Sequence, residues 1–220
     1  MWKNYKGFSL VELLLVILLI GITSAIAIPN INNWITDRKV KKEVYKFVGE
    51  INEMKSKVMG GQYPLAMVRW STYSNQYASL RKYYMTHEDF FTHYRTVADS
   101  ARYWCDDQPK LQKYQSLADF TSKEIRHWPN IHLCISNDGS KKGVMNEQDP
   151  ETGEQIGRVI LCSTKNTTKS GGSNRCNDRN KNDYRYLVTW DRFVNIKIYK
   201  YNKKKDEWCD GTNCYSYGAF

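Results

Sequence analysis

The chain reads as an α+β protein: a long amino-terminal helix, apolar in its first half and amphipathic in its second, packed on an antiparallel β-sheet domain with a helical insertion. Three observations predict this. From Phe8 to Ile28 the only ionisable side chain is Glu12. From Val40 to Val58, the apolar residues Val40, Val44, Phe47, Ile51, Met54 and Val58 recur at intervals of four and three, which lines up one helix face. Further on, Ile131 to Ser136, Ile156 to Ser163, Tyr184 to Trp190 and Phe193 to Tyr201 alternate or run apolar at strand length.

The first half of the helix is the right size for a bilayer. At 1.5 Å per residue, Phe8 to Ile28 spans about 31 Å, against a hydrocarbon core of about 30 Å. A carboxylate in such a span costs roughly 2.5 to 3.5 kcal/mol on insertion scales, so Glu12 asks for a reason. A secretory signal peptide has an apolar run of only about 7 to 15 residues. A generic signal anchor leaves Glu12 unexplained.

The motif Gly7-Phe8-Ser9-Leu10-Val11-Glu12-Leu13, after a short leader bearing Lys3 and Lys6, resembles the type IV pilin and pseudopilin family. The resemblance covers residues 1 to about 60. It implies a cut between Gly7 and Phe8 by a prepilin peptidase on the cytoplasmic face, and N-methylation of Phe8. It also implies that Glu12 recruits and registers the subunit in a filament. A new amine at Phe8 gives the Glu12 of a neighbour a cation to pair with, and a paired charge in hydrocarbon is tolerable where a lone one is not. The implied partners are other pilin or pseudopilin subunits, the peptidase, an inner-membrane assembly platform and membrane lipid. The domains expected are a leader at 1–7, a transmembrane and filament-core helix at 8–28, its amphipathic continuation at 29–60, and an extracytoplasmic globular domain at 61–220.

Charge and cysteines place the bulk of the chain. The basic leader holds the amino terminus in the cytoplasm, with a single pass through the inner membrane before assembly and a periplasmic or cell-surface location afterwards. The net charge is +10, of which Lys3 and Lys6 contribute two, so the mature chain stays strongly basic and favours acidic partners. All six cysteines lie beyond the long helix, where an oxidising compartment favours disulfides. Asp210-Gly211 between Cys209 and Cys214 is a tight-turn dipeptide that brings those two thiols together. Cys162 and Cys176 flank a Ser-Gly-Gly loop and could close it, with Cys105 and Cys134 as the remaining pair.

Along the chain, Pro29 removes a backbone donor and Gly21 weakens the helix, so a kink or local loosening is expected there. The family resemblance implies that this stretch unwinds in a filament. Gly60-Gly61 ends the helix. Leu65 to Tyr73 is a candidate strand. Thr86-His87-Glu88-Asp89 resembles a capping box, followed by Phe90, Phe91, Tyr94, Val97, Ala98 and Ala101 at helical spacing. A second pattern groups Leu111, Tyr114, Leu117, Ala118 and Ile125, so residues 86–127 are expected to form an inserted helical pair. The stretches Ser136 to Gly157 and Thr164 to Asp183 read as polar loops.

No catalytic grouping emerges. His87, His93, His127 and His132 are scattered, and no metalloprotease, phosphate-loop or nucleophile-elbow motif is present. Asp178, Asn180 and Asn182 faintly resemble a calcium loop but lack its glycine and its closing glutamate, which favours a polar turn. The sequence therefore predicts no enzyme, no cofactor and no metal. The favoured function is structural: a type IV pilus subunit, a minor pilin by its long aromatic and cysteine-bearing outer domain, with a type II secretion pseudopilin as its sibling. The roles implied for the former are cell adhesion or DNA uptake. The rival class is a membrane-tethered domain binding DNA or another acidic polymer through Arg69, Lys200, Lys203, Lys204 and Lys205, with Trp70, Tyr199 and Tyr201 as stacking aromatics.

Overall fold

A computed structural model describes residues 9–73, 77–96, 115–117, 119–128, 132–136, 147–149, 152–164, 176, 184–191, 193–211 and 213–216; within it, the side chains of 25–30, 71–73, 77, 93–96, 115–116, 128, 147–148 and 155 are not described. The chain divides into two units between Arg38 and Lys39, both of which take part in the helix α1 (Leu10–Met59).

In the first unit, the side chains described from Leu10 to Ile22 have no core. Their large hydrophobics are 48% to 74% exposed. Helical assignment is unbroken through Gly21 and Pro29. Among the described residues no helix is long and apolar enough to cross a membrane; the side chains of 25–30 are not among them.

In the second unit, α1 buries the face read from the sequence. Val40, Val44, Phe47, Ile51, Met54 and Val58 are each at most 1% exposed, and each such burial is worth roughly 1.5 to 3 kcal/mol. The helix stops in a Schellman turn: the Gln62 amide donates to the Lys57 carbonyl at 2.9 Å and the Gly61 amide to Val58 at 3.0 Å. Gly61 has φ +75°, a left-handed position that favours glycine.

Two antiparallel sheets meet that face. The first takes β1 (Leu65–Tyr73), β2 (Tyr77–Met85), β3 (Gln115–Ser116), β4 (Phe120–Ser122) and β6 (His132–Ser136), in the order β3-β2-β1-β6 with β4 also on β2. The second takes β5 (Ile125–Trp128), β7 (Glu147–Gln148), β8 (Gln155–Ser163), β9 (Arg185–Trp190), β10 (Ile196–Asn202), β11 (Glu207–Asp210) and β12 (Asn213–Tyr215). Its order is β12-β11-β10-β9-β8-β5, with β7 paired to β8. One core joins Phe47 of α1, Val68 and Trp70 of β1, and Val188 and Trp190 of β9. The Trp70 and Trp190 rings stack at 5.3 Å between centroids, 13° from parallel, and Phe47 lies 5.4 Å from Trp70.

Both sheets are also covered on their other faces. Leu65, Met67 and Met85 gather with Phe90 of helix α2 (His87–Thr96). Ile160, Leu187, Tyr199, Tyr201 and Trp208 gather around the Cys162–Cys176 disulfide. This explains why β9 is buried at every position, and why Leu133, Cys134, Ile135 and Ser136 are all buried where alternation predicts one open face.

The expected helical pair at 86–127 needs correction. Thr86 does cap α2: its Oγ donates to Asp89 Oδ2 at 2.7 Å and accepts the Asp89 amide at 3.1 Å. The second helix is not formed across 115–128, which contributes β3, β4 and β5. Leu111, Tyr114 and Ala118 lie outside the described residues, and so do Val97, Ala98 and Ala101. The reason is tertiary: Phe120 pairs with Leu80, and Ile125 pairs with Ser163 and is fully buried, so sheet pairing overrides a weak helical spacing. The stretch expected as a loop at Ser136 to Gly157 likewise contains β7, joined to β8 by a turn in which Asp149 and Glu154 pair. Phe193 does not begin a strand. The Asp191 carboxylate accepts the Phe193 and Asn195 amides at 2.8 Å each, holding a turn whose Val194 sits at φ +59°.

Candidate assembly site and the prepilin signal

Helix α1 opens on a reciprocal cap. The Ser9 amide donates to Glu12 Oε2 at 2.9 Å, and the Glu12 amide donates to Ser9 Oγ at 3.2 Å. The first amides of a helix have no internal partner, and this box satisfies two of them. A negative side chain in the first turn also faces the positive end of the helix dipole. The sequence signal was plain, a serine followed three residues later by a glutamate at the head of an apolar run, but reading Glu12 as an intermolecular partner leaves it unused.

Gly7 and Phe8, the expected cleavage pair, lie outside the described residues. Glu12 is the one acid among the described residues from Ser9 to Ser24, and the hydrophobics around it are exposed on all sides. A helix with that surface stands only where lipid or other apolar helices cover it. Past the undescribed side chains of 25–30, Ile31, Trp34 and Ile35 are still 51%, 55% and 40% exposed, and the Arg38 guanidinium lies 4.1 Å from the Trp34 ring centroid.

The carboxy-terminal candidates separate into two classes. Tyr199 and Tyr201 are 2% and 5% exposed, so they cannot stack on an external base. The strand pleat explains this, because the two point to the same covered face of β10 while Lys200 points out. Trp70 is likewise 1% exposed, locked against Trp190. Lys203, Lys204 and Lys205 are exposed in the β10–β11 turn. Arg69 is half-buried in β1.

On the covered face, the Arg185 guanidinium stands 4.0 Å from the Tyr201 ring and 5.5 Å from the Trp208 ring. The Tyr201 hydroxyl donates to Asp206 Oδ1 at 2.5 Å. Burial, and then the hydrogen bond to Asp206, push the Tyr201 phenol up to about 12. On the helix, the hydrogen bond between Lys57 and Glu53 at 2.6 Å lowers the Glu53 carboxyl and raises the Lys57 amine.

Cys162 is bonded to Cys176, and Cys209 to Cys214 across β11 and β12. Cys134 is disulfide-bonded, and its expected partner Cys105 lies outside the described residues. Among the described residues no three of His, Cys, Asp and Glu stand close enough to hold a metal. The Asp178, Asn180 and Asn182 run and His93 lie beyond the side chains described. A groove of about 590 Å³ runs between α1 and the β2–β4 edge, lined by Glu43, Lys46, Gly49, Glu50, Lys82 and Asp119 among others. Its charges are already matched, Lys46 to Glu43 at 2.9 Å and Lys82 to Glu50 at 2.5 Å.

Residues 2–28 match the family described as a prokaryotic N-terminal methylation motif. No curated protein and no solved structure matches the chain. That motif implies processing by a prepilin peptidase, anchoring in a membrane before assembly, and assembly with other pilin-type subunits. Glu12 and the capped start of α1 stand inside the matched segment, and the chain thus carries the prepilin signal of the type IV pilin and pseudopilin family.

Proposed function

We propose that this protein is a minor subunit of a type IV pilus, cut between Gly7 and Phe8, methylated on Phe8 and built into a filament through α1. The observation that carries the reading is Glu12: a lone carboxylate at the head of a helix whose hydrophobic side chains are exposed all round, within the methylation motif. The amine of Phe8 on one subunit and Glu12 on the next form the pair that sets axial register, and Gly21 to Pro29 is the stretch that loosens as the helices pack. The single pass runs from a cytoplasmic amino terminus, and residues 8–28 hold the subunit in the inner membrane until the assembly platform extracts it. A pseudopilin of a type II secretion system is the sibling reading, since the same amino-terminal machinery serves both. The burial of Trp70, Tyr199 and Tyr201 disfavours the DNA-binding alternative, leaving the exposed Lys200, Lys203, Lys204 and Lys205 as its main remaining support.

Mass spectrometry of the mature protein tests the processing step. A methylated Phe8 terminus is expected; a terminus at Met1, or one after Ala25 or Ala27, overturns it. Replacing Glu12 by Ala tests assembly, and unchanged incorporation into filaments overturns the role given to Glu12. Loss of piliation or of secretion on deletion separates the two sibling readings.

A further inference from the structure

Trp34 and Arg38 form an exposed pair that lipid-free solvent does not explain. Trp34 is 55% exposed, with Ile31 and Ile35 open beside it at 51% and 40%. Ile31, Trp34, Ile35 and Arg38 fall at intervals of three and four, so they share one face of α1. The Arg38 guanidinium covers one face of the indole at 4.1 Å, which keeps the charge at the outer end of an apolar patch. The position is telling. The Trp34 backbone lies about 9 Å along the helix axis beyond Ile28, and helical side chains lean back toward the amino terminus, which carries the indole into a headgroup layer roughly 5 to 7 Å thick outside the bilayer core. A tryptophan at that depth, followed by a cation, matches the amphipathic residues that mark membrane interfaces. The sequence then runs Arg38-Lys39-Val40-Lys41-Lys42 without an acid, with all four cations exposed, which suits an anionic surface.

We propose that Ile31, Trp34, Ile35 and Arg38 form an interfacial anchor that seats the stored subunit in the headgroup layer of an anionic phospholipid bilayer, on the side from which residues 39–220 emerge. The proposal rests on the membrane-stored subunit of the preceding section. Trp34 fixes how deep the helix sits, Ile31 covers the acyl boundary beneath it, Ile35 widens the apolar patch at the level of the indole, and Arg38, folded back over that ring, meets lipid phosphate. Extraction into a filament then requires this patch to leave the headgroups.

The test uses the full chain reconstituted in phosphatidylcholine–phosphatidylglycerol vesicles, with and without lipid brominated near the carbonyl end of its acyl chains. The chain has seven tryptophans, so the emission of Trp34 is taken as the difference between wild type and Trp34→Phe. The expected result is a blue-shifted difference spectrum that is quenched by brominated lipid, with quenching reduced in Arg38→Ala and in vesicles of phosphatidylcholine alone. A chain that floats with the vesicles but whose difference spectrum is unquenched overturns the anchor and leaves the membrane-stored reading standing. A difference spectrum that shifts only with protein density in the vesicles assigns the face to a second copy, and also overturns it. A chain that does not float with vesicles at all overturns the membrane-stored reading itself.

Discussion

Ser9 and Glu12 satisfy each other: each backbone amide of the pair donates to the other's side chain, at 2.9 and 3.2 Å. The same carboxylate therefore has a partner within its own chain before any neighbour arrives. The assembly proposed through Glu12 would then be an exchange of one partner for another, with the helix start giving up one hydrogen bond as the proposed intersubunit pair forms. Ser9→Ala should remove the acceptor for the Glu12 amide and cost about 1 kcal/mol, about fivefold in local opening. Amide exchange at Glu12 in the full chain measures it. An unchanged rate means that the cap is not formed, whereas Ser9→Thr should behave like the wild type.

Gly157 lies against the Trp190 ring, and a Cβ built there falls 2.3 Å from two ring atoms. Neither ring can move freely, because Trp190 stacks on Trp70 and Trp70 abuts Phe47. Gly157→Ala should destabilise the domain by about 1 to 3 kcal/mol through overpacking. Denaturant midpoints of a soluble form are not needed, since the full chain in detergent reports the same shift through tryptophan emission. A midpoint equal to that of the wild type would show that the ring has room to retreat.

Lys82 ties β2 to α1. It is 9% exposed as a side chain and donates to Glu50 at 2.5 Å, with Glu53 at 3.7 Å. Lys82→Met keeps the stem but leaves Glu50, 28% exposed, with only partial solvent in place of its cation. A loss of about 1.5 to 3 kcal/mol is expected. The double variant Lys82→Met with Glu50→Leu should recover much of it, because the unpaired charge is then gone. If the double variant is as unstable as the sum of the singles, the two residues do not act as a pair.

Tyr201 should make stability fall at alkaline pH. Its phenol is pushed up to about 12 in the fold, above the ordinary tyrosine value of about 10. Its contribution is fully present below pH 10, where both states are protonated, and it is lost as pH rises from 10 towards 12, where the unfolded chain deprotonates first. Comparing wild type with Tyr201→Phe isolates this from the other tyrosines. The two stability curves should converge between pH 10 and 12, and parallel curves would contradict the assignment.

The two disulfides with both cysteines among the described residues close loops of different length, 14 and 5 residues apart. Chain entropy predicts about 3 kcal/mol for the longer and about 2 kcal/mol for the shorter. Replacing Cys162 and Cys176 together by Ala should therefore lower the unfolding midpoint more than replacing Cys209 and Cys214. The reverse order would show that the β11–β12 hairpin depends on its staple more than loop length implies.

The amino-terminal half was legible because its information is local. A motif and a helical period each reside in a few consecutive residues, so the prepilin signal within residues 2–28 stood out, and so did the buried Val40 to Val58 face and the Gly60-Gly61 stop. The Thr86 cap and the Cys209–Cys214 turn were readable for the same reason. What tertiary structure alone decided is non-local. Residues 115–128 carry a spacing that suits a helix, yet Phe120 and Ile125 find partners at Leu80 and Ser163 that no window of sequence contains. Tyr199 and Tyr201 look like an exposed basic-aromatic cluster until a second layer, held by Cys162–Cys176 and Trp208, covers that face of the sheet. The stack of Phe47, Trp70 and Trp190 likewise joins a helix and two sheets far apart in the chain. Burial is a property of the whole arrangement, and it determines which aromatics hold the fold and which remain available to a partner.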